Sequence, residues 1–227
     1  MAALAAVLSQ PLAAQAYYCQ VPARVLVPEV TPEAPPRPLP VTGYTLALSW
    51  SPAFCRTREF QRAHARQCSG QSGEFGLVVH GLWPESGRSW PQWCRTTTRP
   101  TSTELARNLC MTPSARLLVR QWLKHGSCMT RRPETYFRIT RILWNSLAVP
   151  DLDRLSRQPK LTAGDLRALF AAANSGWSAR GVGVKINSNG WLEELRLCYD
   201  RRFRPTACDP RRYGATNGAA LKIWRGL

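Results

Sequence analysis

Residues 75–84 read FGLVVHGLWP, an apolar run that changes character abruptly at a histidine. The run 75–79 is continuous and short, which is typical of a buried strand. It is followed by HGLWP (80–84), which holds one of only three histidines in the chain. A histidine at a strand end either packs and hydrogen-bonds there or takes part in chemistry. These ten residues predict a strand and leave both roles open for His80.

A second segment with a histidine closes the first helix that the sequence predicts. TPSARLLVRQWLKHGSC (112–128) favours a helix with Thr112 as N-cap and Pro113 at the first helical position, and Gly126 marks its end. Positions i, i+1, i+4 and i+5 share one side of a helix. The residues at these positions form a polar stripe: Arg120, Gln121, Lys124 and His125. Such a stripe is usually a solvated face, but that reading does not explain a histidine in the last turn beside a permanent cation.

The rest of the pattern predicts a mixed α+β domain over residues 43–227. YTLALSW (44–50) alternates as a strand does, and 181–187 and 191–199 flank a turn as in a hairpin. An amphipathic helix is expected over 133–148, and another is expected to begin after Thr162.

The N-terminal part of the chain is expected to lie outside this domain. Residues 1–16 resemble a secretory signal peptide that ends in Ala-Gln-Ala, and they are too few for a membrane span. Residues 17–42 are expected to form a poorly ordered leader, because seven prolines fall between residues 22 and 40. We therefore expect a soluble, extracytoplasmic protein, either periplasmic or secreted, without membrane contact.

Net charge indicates the class of partner, and cysteine content agrees with an exported protein. With 31 Lys and Arg against 14 Asp and Glu, the formal net charge is +17, which favours polyanionic partners such as RNA, although a cationic surface that serves only solubility or adhesion is an equal alternative. Eight cysteines in an exported chain favour disulfides. Neither a CxxC pair nor an HExxH motif is present, so no metal site is expected.

Two segments resemble the active-site segments of the ribonuclease T2 family: HGLWP (80–84) and WLKHGSC (122–128). YTLALSWSPAFC (44–55) and LRLCYD (195–200) agree with the same family. The resemblance implies an α+β fold in which several helices pack on a central antiparallel sheet. It also implies a monomeric endoribonuclease that cleaves single-stranded RNA with low base specificity. The reaction would need neither metal nor cofactor and would pass through a 2′,3′-cyclic phosphate to a 3′-phosphate.

The resemblance also implies roles for individual residues. His125 would take the proton of the 2′-hydroxyl, His80 would protonate the leaving 5′-oxygen, and Lys124 would stabilise the charged phosphate. Trp83 would stack on a base, and Glu85 occupies a position linked to base recognition.

The chain departs from the family pattern at the start of the second segment. The usual pattern is HEWxKHG, whereas this chain has Arg120 and Gln121 before the tryptophan. Arginine can still clamp a phosphate, but glutamine carries no charge and transfers no proton. We therefore expect a working enzyme with a reduced rate or an altered acid limb in its pH profile, in which Arg120 binds substrate and Gln121 occupies a catalytic position.

Disulfide pairs follow from the same resemblance. It implies Cys55–Cys68, Cys94–Cys128 and Cys198–Cys208. Cys19 and Cys110 remain, and they either pair with each other or stay as reactive free thiols.

One alternative function stays open at this point. The protein could be a noncatalytic, exported cationic protein that binds RNA or other polyanions on the same scaffold, as Gln121 and the net charge would allow. The retention of His80, Lys124 and His125 favours the enzyme, because a protein that had lost catalysis would have no reason to keep all three.

Overall fold

The computed structural model describes residues 16–226. The predicted signal peptide, residues 1–16, lies outside these residues except for Ala16.

Within residues 16–226, six strands form two antiparallel sheets. The larger sheet has the order β4-β2-β6-β5, and β1 pairs with β3 in the smaller one. The strands are β1 Ala16–Cys19, β2 Gly43–Trp50, β3 Gly73–Phe75, β4 Leu77–Glu85, β5 Val182–Ile186 and β6 Leu192–Asp200. The four-stranded antiparallel sheet and its helices confirm the expected α+β fold.

Eight α-helices are found within residues 16–226. They are α1 Ser51–Cys55, α2 Ala65–Cys68, α3 Ser102–Asn108, α4 Ala115–Lys124, α5 Pro133–Asn145, α6 Leu152–Leu155, α7 Ala163–Ala173 and α8 Pro210–Tyr213. Helix α7 begins with a capping box between Thr162 and Asp165, where the sequence predicted a helix start. The longest helix, α5, has 13 residues. Within the described part of the chain, none combines the length and apolar character that crossing a bilayer requires.

Strand pairing divides the four-stranded sheet into an apolar and a polar face. Side chains directly opposite each other on neighbouring strands point to the same face. Leu48, for example, is opposite both Val79 and Leu195, and all three are buried in the core. On the other face, Ala47 is opposite Gly81 and Arg196. This second face carries the histidine of the first motif.

A β-bulge in β4 places two motif residues on that polar face. Strand β4 does not end at His80, as the sequence suggested, but continues through HGLWP to Glu85. The register shifts between Ala47 and Leu48, which pair with Gly81 and Val79, so His80 is the extra residue. Without it, residues three apart would lie on opposite faces. With it, His80 and Trp83 share one face and stack edge to face, with ring centroids 5.1 Å apart.

The free edge of β4 is covered by the chain that leads into α4 and by α5. The Val79 amide donates to the Met111 carbonyl at 2.8 Å. The Tyr136 hydroxyl accepts from the Leu82 amide at 3.2 Å and donates to the Leu82 carbonyl at 3.1 Å. These bonds satisfy an edge that would otherwise be open to pairing.

Helix α4 is shorter than the sequence predicted at both ends. Its N-cap is Ser114, whose side chain accepts from the Leu117 amide, and not Thr112. Thr112 is buried instead, and its hydroxyl donates to the Val79 carbonyl of β4 at 2.7 Å. The side chain is therefore not available to cap the helix. After Lys124 the chain tightens into a 3-10 turn over Gly126–Cys128.

The N-terminal segment (residues 17–42) differs from the expected poorly ordered leader. After β1 it contains no helix or strand, as its prolines favour, yet it packs on the domain. Val25 and Val30 are each only 6% exposed and belong to the core. Arg37 and Gln92 exchange backbone hydrogen bonds of 2.8 and 3.0 Å. An extended segment remains ordered when its valines are buried and its backbone finds partners.

All eight cysteines form disulfides in the structure. The pairs are Cys19–Cys110, Cys55–Cys68, Cys94–Cys128 and Cys198–Cys208. Three are the pairs that the resemblance implied, and the first resolves the open alternative of free thiols at Cys19 and Cys110. That bond also fixes the start of the N-terminal segment to the domain.

Candidate active site

The two histidines of the separate motifs both lie beside one tryptophan. The Trp83 ring centroid is 5.1 Å from that of His80 and 5.9 Å from that of His125. The two imidazoles therefore share one cleft, although 45 positions separate them in the sequence.

His80 is the more open of the two, with 36% of its side chain exposed. Its Nδ1 lies 2.8 Å from Oε2 of Glu194, a distance at which a carboxylate accepts a hydrogen bond from Nδ1–H. Glu194 comes from β6 and is 5% exposed. Its other oxygen accepts from Nε of Arg196 at 2.8 Å.

The surroundings of Glu194 keep its carboxylate charged. Burial alone raises the pKa of this group, but the hydrogen bond and charge of His80, and then those of Arg196, outweigh that effect. The pKa of Glu194 is therefore lowered from its ordinary value, and the residue is an anion at neutral pH.

His125 caps the C-terminal end of α4 and is 7% exposed. Its Nδ1 is buried and has no hydrogen-bond partner among the described residues. Burial lowers the pKa of His125 well below its ordinary value, and the positive charges of Lys124 and Arg120 add to that effect. His125 is therefore neutral at neutral pH and able to accept a proton.

The chain around His125 is held from several sides. The Trp93 amide donates to the Lys124 carbonyl at 2.8 Å. The Cys94–Cys128 disulfide ties the following 3-10 turn to the same strand-to-helix connection. At Gly126 an added Cβ would lie 2.6 Å from the Trp122 ring and 2.7 Å from the Tyr136 ring, so only glycine allows the turn to pass this closely.

Gln121 lies beneath the cleft and is not part of a solvated stripe, since it is only 2% exposed. Its Oε1 accepts a hydrogen bond from Nε1 of Trp83 at 3.0 Å, whereas its Nε2 is buried with no partner among residues 16–226. Gly81 makes room for this pair, because a Cβ there would overlap Oε1 of Gln121 and approach Nε1 of Trp83 to 2.6 Å.

Arg120 and Lys124 both bind a carboxylate of the N-terminal segment. Nζ of Lys124 is 2.9 Å from Oε1 of Glu33, and Nε of Arg120 is 3.2 Å from Oε2 of the same side chain. The two cations can therefore hold one anion between them.

Glu85 is fully engaged by protein groups. Arg212 of α8 donates from Nε and Nη2 to its two oxygens at 2.7 and 2.9 Å, and Thr45 donates to Oε1 at 2.7 Å. The Arg212 guanidinium lies 6.0 Å from the Trp83 ring. Glu85 thus holds an arginine near Trp83.

Sequence reasoning missed three charged residues of this site. Glu33 lies in a segment expected to be poorly ordered, and Arg212 belongs to an arginine run, DPRRYG (209–214), that predicts either nonspecific phosphate binding or a solvated surface. Glu194 left a weak signal: in WLEELRLCY it falls on the same alternate positions as Arg196, opposite Leu195 and Leu197. Its partner, His80, could not be read from that alternation.

The site contains no recognisable metal centre. Across the described residues, no group of three or more His, Cys, Asp or Glu side chains could hold an ion. The charges around the histidines come from Lys124, Arg120 and Arg212, together with Glu194.

Solved structures with the same fold include several ribonucleases. Trichomaglin, an S-like ribonuclease, has a TM-score of 0.65 at 20% identity, covering 81% of this chain and 97% of its own. RNase NT, solved in complex with 5′-AMP, has a TM-score of 0.62 at 17% identity, covering 81% and 98%. At these identities the likeness shows the fold alone.

Sequence comparison is more specific. A model of the ribonuclease T2 family matches residues 42–208. A ribonuclease of Aeromonas hydrophila is 40% identical over 165 residues, which are 70% of this chain and 71% of that protein. A probable ribonuclease of Haemophilus influenzae is 30% identical over 181 residues, which are 74% of this chain but only 61% of that relative's length. With its fold, both motifs and most of its length in agreement, the chain belongs to the ribonuclease T2 family.

Proposed function

We propose that this protein is an exported endoribonuclease that cleaves single-stranded RNA without a metal or cofactor. The products are 2′,3′-cyclic phosphates, which are then hydrolysed to 3′-phosphates. The names of the two bacterial relatives support the activity, and the eight paired cysteines support an extracytoplasmic location.

In the first step, the 2′-oxygen attacks the phosphorus and the bond to the 5′-oxygen breaks. His125 takes the proton of the 2′-hydroxyl, which suits a neutral imidazole whose pKa is lowered by burial. His80, the more exposed ring, donates a proton to the departing 5′-oxygen. In the second step, water adds to the cyclic phosphate and the bond to the 2′-oxygen breaks, with the two histidines exchanging roles.

The cations beside the histidines suit the charge that develops on the phosphate. Lys124 and Arg120 already hold the two oxygens of one carboxylate, and a phosphate presents oxygens in a similar arrangement. Positioned positive charges of this kind stabilise the transition state more than the ground state.

Low base specificity agrees with the surroundings of Trp83. An indole face stacks on any base. The nearby carboxylate of Glu85 is taken up by Arg212 and Thr45, so it does not select one base by accepting its hydrogen bonds. RNase NT binds 5′-AMP, and we expect this chain to bind nucleotides in the cleft beside Trp83.

The observation that carries the proposal is that His80 and His125, from separate motifs, both lie beside Trp83, with ring centroids 5.1 and 5.9 Å from it. The test is an assay of the purified protein on single-stranded RNA in EDTA, with analysis of the products. Cyclic phosphate and then 3′-phosphate ends are expected, and intact RNA from acidic to neutral pH would overturn the proposal.

Three histidine variants separate this activity from contamination. His80→Ala and His125→Ala should each lower the rate by a factor of about 10² or more, since each removes one proton transfer. His64→Ala is the matched control, because His64 lies outside the cleft with its ring in edge contact with Phe54, 5.0 Å between centroids. The RNA affinity of the inactive His80→Ala and His125→Ala variants would show how tightly a noncatalytic polyanion-binding protein on this scaffold binds RNA.

A further inference from the structure

Glu194 lies outside both active-site motifs, yet its carboxylate is the only protein group hydrogen-bonded to His80 among the described contacts of that ring. We propose that Glu194 is the positioning residue of His80: it fixes the tautomer and the orientation of the imidazole, with Nε2 towards the cleft, where it donates to the leaving oxygen. This inference rests on the proposed function, because it concerns the acid of that reaction.

The first argument is the hydrogen bond itself. Nδ1 of His80 is 2.8 Å from Oε2 of Glu194, so Nδ1 carries a proton that the carboxylate accepts. The bond uses one ring nitrogen and leaves Nε2 as the nitrogen that can reach a substrate. A hydrogen bond to one nitrogen of a histidine selects the tautomer and the orientation of the other.

The second argument is that Glu194 cannot easily turn away. It is 5% exposed, and its Oε1 accepts from Nε of Arg196 at 2.8 Å. Arg196 is held in turn, since its Nη1 donates to the Arg211 carbonyl at 3.2 Å. A buried carboxylate whose two oxygens are both hydrogen-bonded is held in one orientation. Turning it away from Arg196 would leave its charge buried without a compensating partner.

The third argument is the register of the sheet. His80 and Glu194 belong to β4 and β6, which flank β2. The residues of β2 opposite this region on the polar face are Ala47 and Ser49, which have small side chains. The histidine and the glutamate can therefore meet across β2, which larger residues there would obstruct.

Two substitutions separate orientation from charge. Glu194→Gln keeps an oxygen that can accept from Nδ1–H but removes the charge, whereas Glu194→Ala removes both. Glu193→Gln is the matched control, because Glu193 is the preceding residue and pairs instead with Lys185, 3.0 Å from Nζ to Oε2.

We expect kcat to fall by about 10- to 100-fold in Glu194→Ala and by less in Glu194→Gln, with KM little changed. Glu194→Gln should keep much of the rate that Glu194→Ala loses, because its amide oxygen can still accept from Nδ1–H. Glu193→Gln should match the unmodified protein in kcat and in pH profile. Because a general loss of stability would not lower kcat while leaving KM unchanged, this readout separates positioning from a structural role.

A second measurement does not depend on catalysis. The ¹⁵N chemical shifts of the His80 ring should report Nδ1–H in the unmodified protein and in Glu194→Gln, and a different tautomer balance in Glu194→Ala. Unchanged kinetics and unchanged shifts in both folded variants would overturn the inference. An inactive unmodified protein with the Nδ1–H signature would overturn the proposed function and leave the positioning of His80 standing.

Discussion

Glu33 and Lys124 form an ion pair, with Oε1 2.9 Å from Nζ, that links the N-terminal segment to the end of α4. The same carboxylate binds Arg120. Although partial burial raises the pKa of Glu33, its hydrogen bonds to Arg120 and Lys124 outweigh that effect and lower it, so the side chain is an anion at neutral pH. It occupies the two cations that the proposed mechanism assigns to the RNA phosphate.

Neutralising Glu33 is therefore expected to strengthen substrate binding. Glu33 is 45% exposed, and an ion pair this open is worth about 0–1 kcal/mol, so a phosphate can displace it. For Glu33→Gln we expect KM for RNA to fall about two- to fivefold at low salt, with kcat little changed. The difference should shrink as salt screens the charges. Glu29→Gln is the control, since Glu29 is exposed in the same segment and only its backbone carbonyl is bonded, to Arg116. An unchanged or raised KM in Glu33→Gln would contradict this competition.

Restoring a carboxylate at position 121 is expected to raise activity. Gln121 is buried beside Trp83, and Nε1–H of Trp83 can donate to a glutamate oxygen as it now does to the amide. The neighbouring cations Arg120 and Lys124 offset part of the cost of burying the new charge. For Gln121→Glu we expect kcat to rise on the order of tenfold and the acid limb of the pH profile to move up, because an added anion raises the pKa of His125.

Gln121→Met provides the comparison, because it keeps the approximate volume but cannot accept from Trp83. It should lower kcat without moving the acid limb. The idea that Gln121 limits the enzyme is rejected if Gln121→Glu folds normally and changes neither kcat nor the profile.

The pH dependence of activity and of stability should both reflect His125. Its pKa is lowered, so the ring stays neutral, and able to accept a proton, below the ordinary histidine value of about 6.5. The acid limb of kcat/KM should therefore lie below about pH 6.5. In the unfolded chain this histidine takes up a proton near pH 6.5, and the folded state takes it up only at lower pH. The stability it contributes is thus present above about pH 6.5 and is lost as pH falls.

Denaturant unfolding at about pH 7 and pH 5 checks the stability part, with His125→Asn as the reference. The unmodified protein should lose more stability than the variant between these two values. An acid limb above about pH 6.5, or equal losses in both proteins, would show that the ring is not held neutral.

Gly81→Ala is expected to disturb both fold and site. The new Cβ would overlap Gln121 and approach Trp83 Nε1 to 2.6 Å, in a backbone that is otherwise well packed. Overpacking of this kind costs about 1–3 kcal/mol in the free energy of unfolding and should also lower kcat by displacing the indole that both histidines contact. Gly218→Ala is the matched control, since nothing lies within 4 Å of a Cβ there, and it should change stability by less than about 0.5 kcal/mol. Equal melting temperatures for the two variants would contradict the packing argument.

The sequence predicted the parts of the site that reside in contiguous motifs. Periodicity predicted the strand and the helix that carry HGLWP and WLKHGSC, and the resemblance of these short motifs to the family implied their roles. The α+β fold and three disulfides followed from the family resemblance. The bulge at His80 was not foreseen, because an extra residue in a strand depends on what the neighbouring strand offers and not on local preference.

The remaining parts depend on tertiary contacts that no local pattern encodes. Glu194 meets His80 only because β6 and β4 flank β2 in one particular register. Glu33 was placed in a disordered leader because proline content was weighed alone, whereas Val25 and Val30 bury enough apolar surface to hold the segment on the domain.

The position of Glu33 has a consequence for how relatives are compared. The family model matches residues 42–208. Glu33, whose carboxylate binds Arg120 and Lys124, therefore lies before the first matched residue. Two enzymes with identical catalytic motifs can therefore differ in substrate affinity through an appendage that such a comparison never sees. A recombinant protein that began at β2 would lack Glu33. Its Arg120 and Lys124 would then have no carboxylate bound to them, and its affinity for RNA would differ from that of the longer chain.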